Sequence, residues 1–286
     1  MTDEWNIPLG ILLAVIAYAC LYIGKGIQKY AIVGFTADGA TKGEKEKHTG
    51  VWAGGLALTG SFMAIHLFAL DFAPISVIAP FEGLGLLILC FFSYFILKEP
   101  IDRVKSYGIS LIVAGLILTA IFMPGPEAKP NFEYWYAQGW IFFLISLCVI
   151  MGFFTIIGLY SKFNNYRAAG IIFGSFAGAF MCFQTLTKRI TWIPEYGYFL
   201  FIMFGFAAAT LIMTNFGFLK ADAVVVVPSF TAMSILLPTV IAIFTFNEQV
   251  KILQWIGIAI IVVGIFLLTA FSPEGATEKT ENSDSN

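Results

Sequence analysis

Two side chains that could do chemistry lie inside long apolar stretches of the sequence. Glu82 falls in "SVIAPFEGLG" (76–85), and His66 falls in "AIHLFAL" (64–70). An ionisable side chain in hydrocarbon is costly unless it is paired, neutralised or hydrated, so it is by default a candidate functional residue. The carboxylate of Glu82 could bind a cation or carry a proton that moves with a solute. The structural alternatives are a protonated glutamate satisfied by a neighbour and a histidine that only packs.

Three further residues join these two as candidate substrate-binding residues. Asn215 lies opposite His66 when the chain is compared with itself at an offset of 149 residues. Pro80 and Pro228 fall within one residue of the same register, and each removes a helical hydrogen bond inside an apolar segment. Paired, proline-interrupted helices indicate a site between them. The alternative interpretation is a pair of packing kinks.

No pattern in the sequence indicates an enzyme. There is no pairing of a nucleophile with a base, no phosphate-binding loop and no Cys/His cluster with metal-ligand spacing. We therefore expect no cofactor. Glu82 is the candidate metal ligand, because a hard cation prefers oxygen and one carboxylate can bind such an ion while it keeps several of its waters.

The composition places these residues in a membrane protein. The chain has 286 residues, of which 59% are hydrophobic and 12% charged, whereas a soluble protein has about 25% charged residues. The net charge of −2 comes without a basic patch, so nucleic acid is not an expected partner. The expected partners are the lipid bilayer and a small solute or ion, and a homodimer is left open.

Nine apolar stretches are long enough to cross a bilayer, which takes about 20 residues per helix. They predict an all-α polytopic membrane protein with transmembrane helices at 8–30, 51–70, 73–97, 104–122, 138–161, 168–187, 196–219, 223–246 and 252–271. Polar loops are expected at 34–49 and 123–137. The polar tail after Phe271 has the composition of a disordered segment.

The two halves of the chain carry a similar three-helix unit. "GLILTAIFMP" (115–124) lies opposite "GIFLLTAFSP" (264–273), and Gly108 lies opposite Gly257. An odd number of helices separates equivalent elements, so the two units must cross the membrane in opposite directions. Such inverted repeats are typical of secondary transporters. This divides the chain into a first repeat (1–122), a connecting loop (123–137), a second repeat (138–271) and a disordered tail (272–286), and it leaves the repeat partner of the first helix open.

The distribution of lysine and arginine predicts the orientation. With the N-terminus outside, most of the sixteen basic residues fall in inside segments, as the positive-inside rule requires. In this scheme Lys25 and Lys29 extend to the inner interface, whereas Lys188 and Arg189 belong to an outside segment. We therefore predict an integral membrane protein with its N-terminus outside and its C-terminus inside, in a membrane that the sequence does not identify.

Two glutamates at the ends of apolar runs are predicted to have a structural role. Glu99 and Glu248 occupy matching places in the two halves, each just before a short polar turn. A carboxylate in such a place can cap the N-terminus of the helix that follows. We prefer this role to one in transport.

The repeated pattern of a proline, a later glutamate and spaced glycines resembles the EamA-type repeat of the drug/metabolite transporter superfamily. The helix count and the stretches 21–32, 51–100 and 223–230 resemble the NIPA-like magnesium transporter branch. This resemblance implies a secondary transporter and makes a divalent cation such as Mg²⁺ the first substrate candidate. The chain differs from that branch at Glu82, where a small residue is common, and at His66, where an asparagine is common.

Three functional hypotheses follow. The first is a secondary transporter that moves a small solute, such as Mg²⁺, by rocking one repeat against the other around a site near Glu82. The second is an exporter or exchanger of a small organic metabolite. The third is a membrane scaffold that transports nothing.

Overall fold

The computed structural model describes residues 6–36, 42–92, 103–122, 133–166, 168–193, 195–221 and 223–270, and the regular structure in these ranges is helical. The helices are α1 (Ile7–Thr36), α2 (Lys42–Phe72), α3 (Ile75–Ile78), α4 (Glu82–Phe92), α5 (Arg103–Ile121), α6 (Trp140–Phe163), α7 (Ala169–Thr191), α8 (Phe199–Lys220), α9 (Ala223–Phe246) and α10 (Ile252–Ala270). One π-helical turn, Trp135–Gly139, leads into α6.

The helices have the length and composition that a bilayer requires. Among the described residues, six helical segments are long and apolar enough to cross a membrane, and three shorter apolar helices lie at Ile75–Ile88, Ser106–Thr119 and Ile252–Leu267. The chain is therefore an all-α, polytopic integral membrane protein, as the sequence predicts.

The third apolar run is broken at its proline. α3 ends at Ile78, a 3₁₀ turn spans Ala79–Phe81, and α4 begins at Glu82. Pro80 lies within that turn, where it has no N–H to continue the α-helical hydrogen bonds. The break places Glu82 in the first turn of α4, inside the bundle.

The matching proline does not break its helix. α9 is continuous from Ala223 to Phe246, with both Pro228 and Pro238 inside it. The expectation of an interrupted helix is therefore correct for α3–α4 and wrong for α9. Hydroxyl side chains along α9 donate to carbonyls one turn earlier in the same helix; these are Ser229, Thr231, Ser234 and Thr239.

Two helices begin earlier than the hydropathy indicates. α2 starts at Lys42, within the predicted polar loop 34–49, because lysine and glutamate are good helix formers that extend an apolar helix into water. Helical structure before α6 begins at Glu133, so residues 133–137 are helical and do not belong to the connecting loop. The predicted disordered tail, 272–286, lies outside the described residues.

The packing of the helices shows which of them correspond. α1 packs mainly on α2 and α4, whereas α7 packs mainly on α8 and α9. Since α8 and α9 follow α7 as α2 and α4 follow α1, α7 is the packing counterpart of α1. α6 packs on α7 and α9 and has no counterpart among the described helices of the first half.

α5 and α10 cross at glycines that the repeat places in equivalent positions. A Cβ atom on Gly115 would lie 2.7 Å from the Gly257 carbonyl oxygen, and one on Gly264 would lie 2.8 Å from that of Gly108. The offset of 149 residues matches Gly108 with Gly257 and Gly115 with Gly264. Small residues allow this close approach of two backbones in a membrane. The two helices therefore meet through equivalent surfaces of the two halves.

Gly115→Ala is expected to destabilise the protein by about 1–3 kcal/mol, because the added methyl group overlaps the α10 backbone. Thermal unfolding of the purified protein in detergent measures the change. Gly205→Ala is the matched control, since nothing lies within 4 Å of its Cβ position. The control should be neutral or slightly stabilising, because alanine favours a helix over glycine. Equal unfolding temperatures for the Gly115→Ala protein and the wild type would contradict the proposed packing.

Candidate functional site

A group of buried polar side chains lies between the two halves of the bundle. We call it the central cluster, and each of its members is at most 5% exposed. The first half contributes Tyr18, Tyr22 and Lys25 from α1, His66 from α2 and Glu82 from α4, and the second half contributes Lys188 from α7 and Thr231 from α9.

The spacing of residues along α1 places three members of the central cluster on one helix face. Tyr18, Tyr22 and Lys25 are separated by four and three residues, which is the period of one helical face. Tyr22 and Lys25 of this polar stripe contact α9 of the second half, whereas Tyr18 contacts His66 on α2.

Glu82 is held by hydroxyl groups from both halves. The Tyr22 hydroxyl donates to Glu82 Oε1 at 3.1 Å and also forms a hydrogen bond with the Thr231 hydroxyl. Gly85, one turn after Glu82, makes room for the Tyr22 ring, since a Cβ at that position would overlap it. The carboxylate is thus positioned by α1 of the first half and, through Tyr22, by α9 of the second half.

His66 connects a lysine to a tyrosine. Lys188 Nζ lies 3.2 Å from His66 Nδ1, and the Tyr18 hydroxyl lies 3.2 Å from His66 Nε2. A charged ammonium group can only donate, so we assign Nδ1 as the acceptor and Nε2 as the protonated nitrogen that donates to Tyr18. The His66 ring stacks on Phe62, which also lies under the Lys188 ammonium group. This histidine is therefore neutral and fully used in contacts within the bundle.

Lys25 is buried and lacks a hydrogen-bond partner. Its Nζ lies 3.0 Å from the centroid of the Phe230 ring and 5.4 Å from that of Tyr22. No hydrogen bond to this atom is formed. The prediction that Lys25 extends to the membrane interface is therefore wrong, because the side chain points into the bundle. The side chain of Lys29 lies outside the described residues.

The predicted positions of Lys188 and Arg189 are also wrong. α7 continues to Thr191 and carries both of them inside the bundle, where each is at most 1% exposed. The hydropathy pattern ends the apolar run at residue 187, so both were assigned to an outside segment. Because they are buried in the protein, they do not count as loop charges, and the orientation of the termini remains a prediction.

A second group of contacts joins the halves where α2 and α7 end. Arg189 Nη1 donates to the Leu70 carbonyl at 2.6 Å. Trp192 Nε1 donates to the Leu67 carbonyl at 3.1 Å. These bonds connect the second half to the last turns of α2.

Glu248 and Gln254 extend this second group to the start of α3. The Glu248 carboxylate accepts from the backbone N–H groups of Ile75 at 3.0 Å and Ser76 at 2.9 Å. Gln254 Nε2 donates to the Ser76 carbonyl at 2.7 Å. We call Arg189, Trp192, Glu248 and Gln254 the end cluster.

Glu248 caps the N-terminus of a helix, as predicted, but the helix is a different one from the helix that the sequence suggested. It caps the N-terminus of α3, in the other half of the chain, and not that of α10, which follows it. The sequence cannot reveal this partner, since the residues are 173 and 172 positions apart. Its repeat equivalent, Glu99, lies outside the described residues.

The remaining predicted site residues are Pro80, Pro228 and Asn215, and only the two prolines lie on segments that carry residues of the central cluster. Pro80 precedes Glu82 by two residues, and Pro228 precedes Thr231 by three, so both lie on segments that form the cluster. Asn215 lies on α8, where its Nδ2 donates to the Leu211 carbonyl of the same helix at 2.9 Å. The structure thus brings His66 and Glu82 into the central cluster, places the two prolines on segments that carry cluster residues, and gives the Asn215 side chain a hydrogen bond within its own helix.

The central cluster carries more positive than negative groups. Five charged side chains are buried among the described residues, namely Lys25, Lys188, Arg189, Glu82 and Glu248. Arg189 interacts with Glu248, whereas Glu82 interacts with both lysines. One carboxylate therefore faces two ammonium groups.

Glu82 has oxygen neighbours but no second carboxylate that would complete a metal site. In the part of the chain that the structure describes, no group of three or more His, Cys, Asp and Glu side chains could hold a metal ion. The oxygens that hydrogen-bond Glu82 belong to Tyr22 and Ser234, and Thr231 is bonded to Tyr22. A hydrated cation bound to this carboxylate would also lie near the ammonium groups of Lys25 and Lys188, which interact with Glu82 and would repel the ion.

Comparison with known proteins gives a family match over most of the chain. Residues 6–182 match the family described as "Magnesium transporter NIPA". The "Probable magnesium transporter NIPA9" of Arabidopsis thaliana is 30% identical over 100 residues, covering 35% of this chain and 28% of the plant protein. No solved structure matches the chain.

Two bacterial relatives come from a different group of transport proteins. Each is a "Probable 4-amino-4-deoxy-L-arabinose-phosphoundecaprenol flippase subunit ArnE" from Pseudomonas fluorescens. The protein of strain Pf0-1 is 29% identical over 110 residues, covering 38% of this chain and 94% of the relative. That of strain Pf-5 is 23% identical over 110 residues and is covered to 96% of its length.

Proposed function

The chain belongs to the family of NIPA magnesium transporters, and from this premise we propose that it moves a small solute across a membrane by alternating access. The central cluster is the proposed solute site. The observation that supports it is the carboxylate of Glu82, buried at the interface between the halves and connected through Tyr22 to Thr231 of the second half. An ionisable group at such an interface is the expected feature of a transporter site.

The end cluster supports the alternating-access part of the proposal. Its hydrogen bonds join α7, the connection between α9 and α10, and α10 to α2 and α3 where α2 ends. Rocking one half against the other would break these bonds and open that end of the bundle. Because Glu82 is connected to both halves, the same movement would change its surroundings.

Mg²⁺ is the first substrate candidate because of the family. The oxygens of Glu82, Tyr22 and Thr231 are hard ligands, and an ion that keeps most of its waters needs only one carboxylate. Lys25 and Lys188 oppose a divalent cation, since like charges repel strongly in a buried site. Transport of Mg²⁺ therefore requires that the ion pass Glu82 with much of its hydration shell.

A small organic metabolite is the second candidate, and the central cluster favours it. Besides the carboxylate, the central cluster contains two ammonium groups and two tyrosines, and the rings of Phe62 and Phe230 contact the ammonium groups. Such a mixture of charged and aromatic groups is typical of a pocket for an organic molecule with several polar groups. The names of the ArnE relatives, which describe a lipid-linked amino sugar, point to organic cargo as well.

Uptake into proteoliposomes tests the proposal. The full chain is reconstituted, and influx of Mg²⁺, reported by a trapped indicator, is compared with influx of a panel of radiolabelled organic acids, phosphates, amines and sugars. We expect saturable uptake of at least one of these solutes above protein-free liposomes. Folded, reconstituted protein that moves none of them would contradict a transport function and favour a membrane scaffold.

A further inference from the structure

We propose that Lys25 binds the anionic group of an organic solute, a carboxylate or a phosphate, inside the central cluster. This inference rests on the transport function proposed above and specifies the class of solute. It assigns Lys25 as a substrate-binding residue, whereas the sequence alone places its side chain at the membrane interface.

The charge balance of the central cluster is the first argument. Lys25 and Lys188 face a single carboxylate, that of Glu82, and His66 is neutral by its hydrogen bonds. A buried ammonium group that is not balanced by a negative charge is strongly unfavourable. An anionic group on the solute supplies the negative charge that the central cluster lacks.

The surroundings of the two lysines indicate which of them is open to a ligand. Lys188 Nζ is bonded to His66 and lies 4.2 Å from the centroid of the Phe62 ring. Lys25 Nζ is buried and has no hydrogen-bond partner, although an ammonium group has three hydrogens to donate. Its contact with the Phe230 ring compensates only part of the lost hydration.

The groups around Lys25 suit an organic anion. The Tyr22 ring lies 5.4 Å from Lys25 Nζ, and the Tyr22 hydroxyl connects to Glu82 and Thr231. The rings of Tyr22 and Phe230 can contact the carbon part of a solute while the ammonium group binds its anionic end. Glu82 lies close enough to interact with Lys25 electrostatically, so it can bind a donor group on the same solute.

Titration of the purified full chain tests this assignment. Intrinsic tryptophan fluorescence is followed at constant ionic strength while sodium lactate, sodium phosphate or neutral glycerol is added. A separate arm uses zwitterionic vesicles with and without phosphatidic acid, which distinguishes a free anion from a lipid headgroup. We expect saturable changes with an anion in one of these arms and none with glycerol.

Three variants connect the response to Lys25. Lys25→Met should weaken anion binding at least about tenfold, because a charged hydrogen bond is lost, and Lys25→Arg should retain most of it. Lys220→Met, at an exposed lysine that contacts the Tyr166 ring, should bind as the wild type does. Lys25→Met should also fold without the anion, since it removes an unbalanced buried charge.

The outcomes separate this inference from the transport proposal. Anion binding that is equal in the wild type and the Lys25→Met protein would overturn the assignment, and so would a response to glycerol alone. If proteoliposomes still take up Mg²⁺ or a neutral solute in that case, the transport function stands without an anion site. Absence of any uptake, together with Lys25-dependent anion binding, would refute transport and retain the site.

Discussion

A Glu82→Gln protein is expected to lose solute uptake by at least about a hundredfold. The carboxylate is the single negative charge that the two lysines of the central cluster face. Loss of a charged hydrogen bond to the solute, about 1.5–3 kcal/mol, together with loss of the counter-charge of two lysines corresponds to about a hundredfold or more, since each 1.4 kcal/mol is about tenfold in a binding equilibrium. Initial uptake rates in proteoliposomes, measured for whichever solute the wild type moves, give the result.

Loss of uptake must be separated from loss of folding, because Glu82→Gln also leaves Lys25 and Lys188 without a counter-charge. The double variant Glu82→Gln/Lys25→Met restores the original excess of one positive charge, so its thermal stability should recover while uptake remains absent. Glu46→Gln, at an exposed glutamate of α2, is the control for the chemical change itself. Wild-type uptake by folded Glu82→Gln protein would show that the carboxylate has no role in transport.

A Glu248→Ala protein is expected to lose about 3–6 kcal/mol of stability. The carboxylate accepts two backbone hydrogen bonds at the start of α3, and each hydrogen bond to a charged group contributes about 1.5–3 kcal/mol. It is also the principal charged neighbour of Arg189, which is buried. Thermal unfolding in detergent measures the loss.

The same substitution should loosen the end of the bundle at which α3 begins. In a background without the four native cysteines, a cysteine at Ser76 should react faster with a water-soluble thiol reagent when Glu248 is replaced. Gln249→Ala, at the exposed neighbouring residue, should change neither the stability nor the labelling. Unchanged stability of the Glu248→Ala protein would mean that the carboxylate does not hold the two halves together.

The helices are the part of the fold that local sequence predicts best. The hydrocarbon of a bilayer offers the backbone no hydrogen-bond partners. A spanning run of about 20 apolar residues therefore forms a helix, in which its N–H and C=O groups bond to one another. The break before Glu82 was predictable because proline cannot donate a hydrogen bond. The same rule failed for α9, where Pro228 lies inside a continuous helix, because neighbouring helices can stabilise a proline-containing helix and the local sequence does not show them.

Two of the seven members of the central cluster were identified from the sequence. Glu82 and His66 stand out as ionisable residues in apolar runs, and both lie in the cluster. The stripe of Tyr18, Tyr22 and Lys25 was a usable signal at helical spacing, which the sequence interpretation did not use. Lys188 gave no such signal, because it follows the apolar run where loop charges normally occur.

The sequence by itself determined that the chain is a polytopic helical membrane protein with related halves, and it identified the carboxylate at the centre. Only the tertiary structure decided which charges meet that carboxylate. Lys25 and Lys188 are 163 positions apart in the sequence, and whether such a lysine faces water, lipid or a buried glutamate depends on the packing of α1, α4 and α7. Hydropathy records the average environment of a segment, whereas the direction of one side chain follows from contacts between segments.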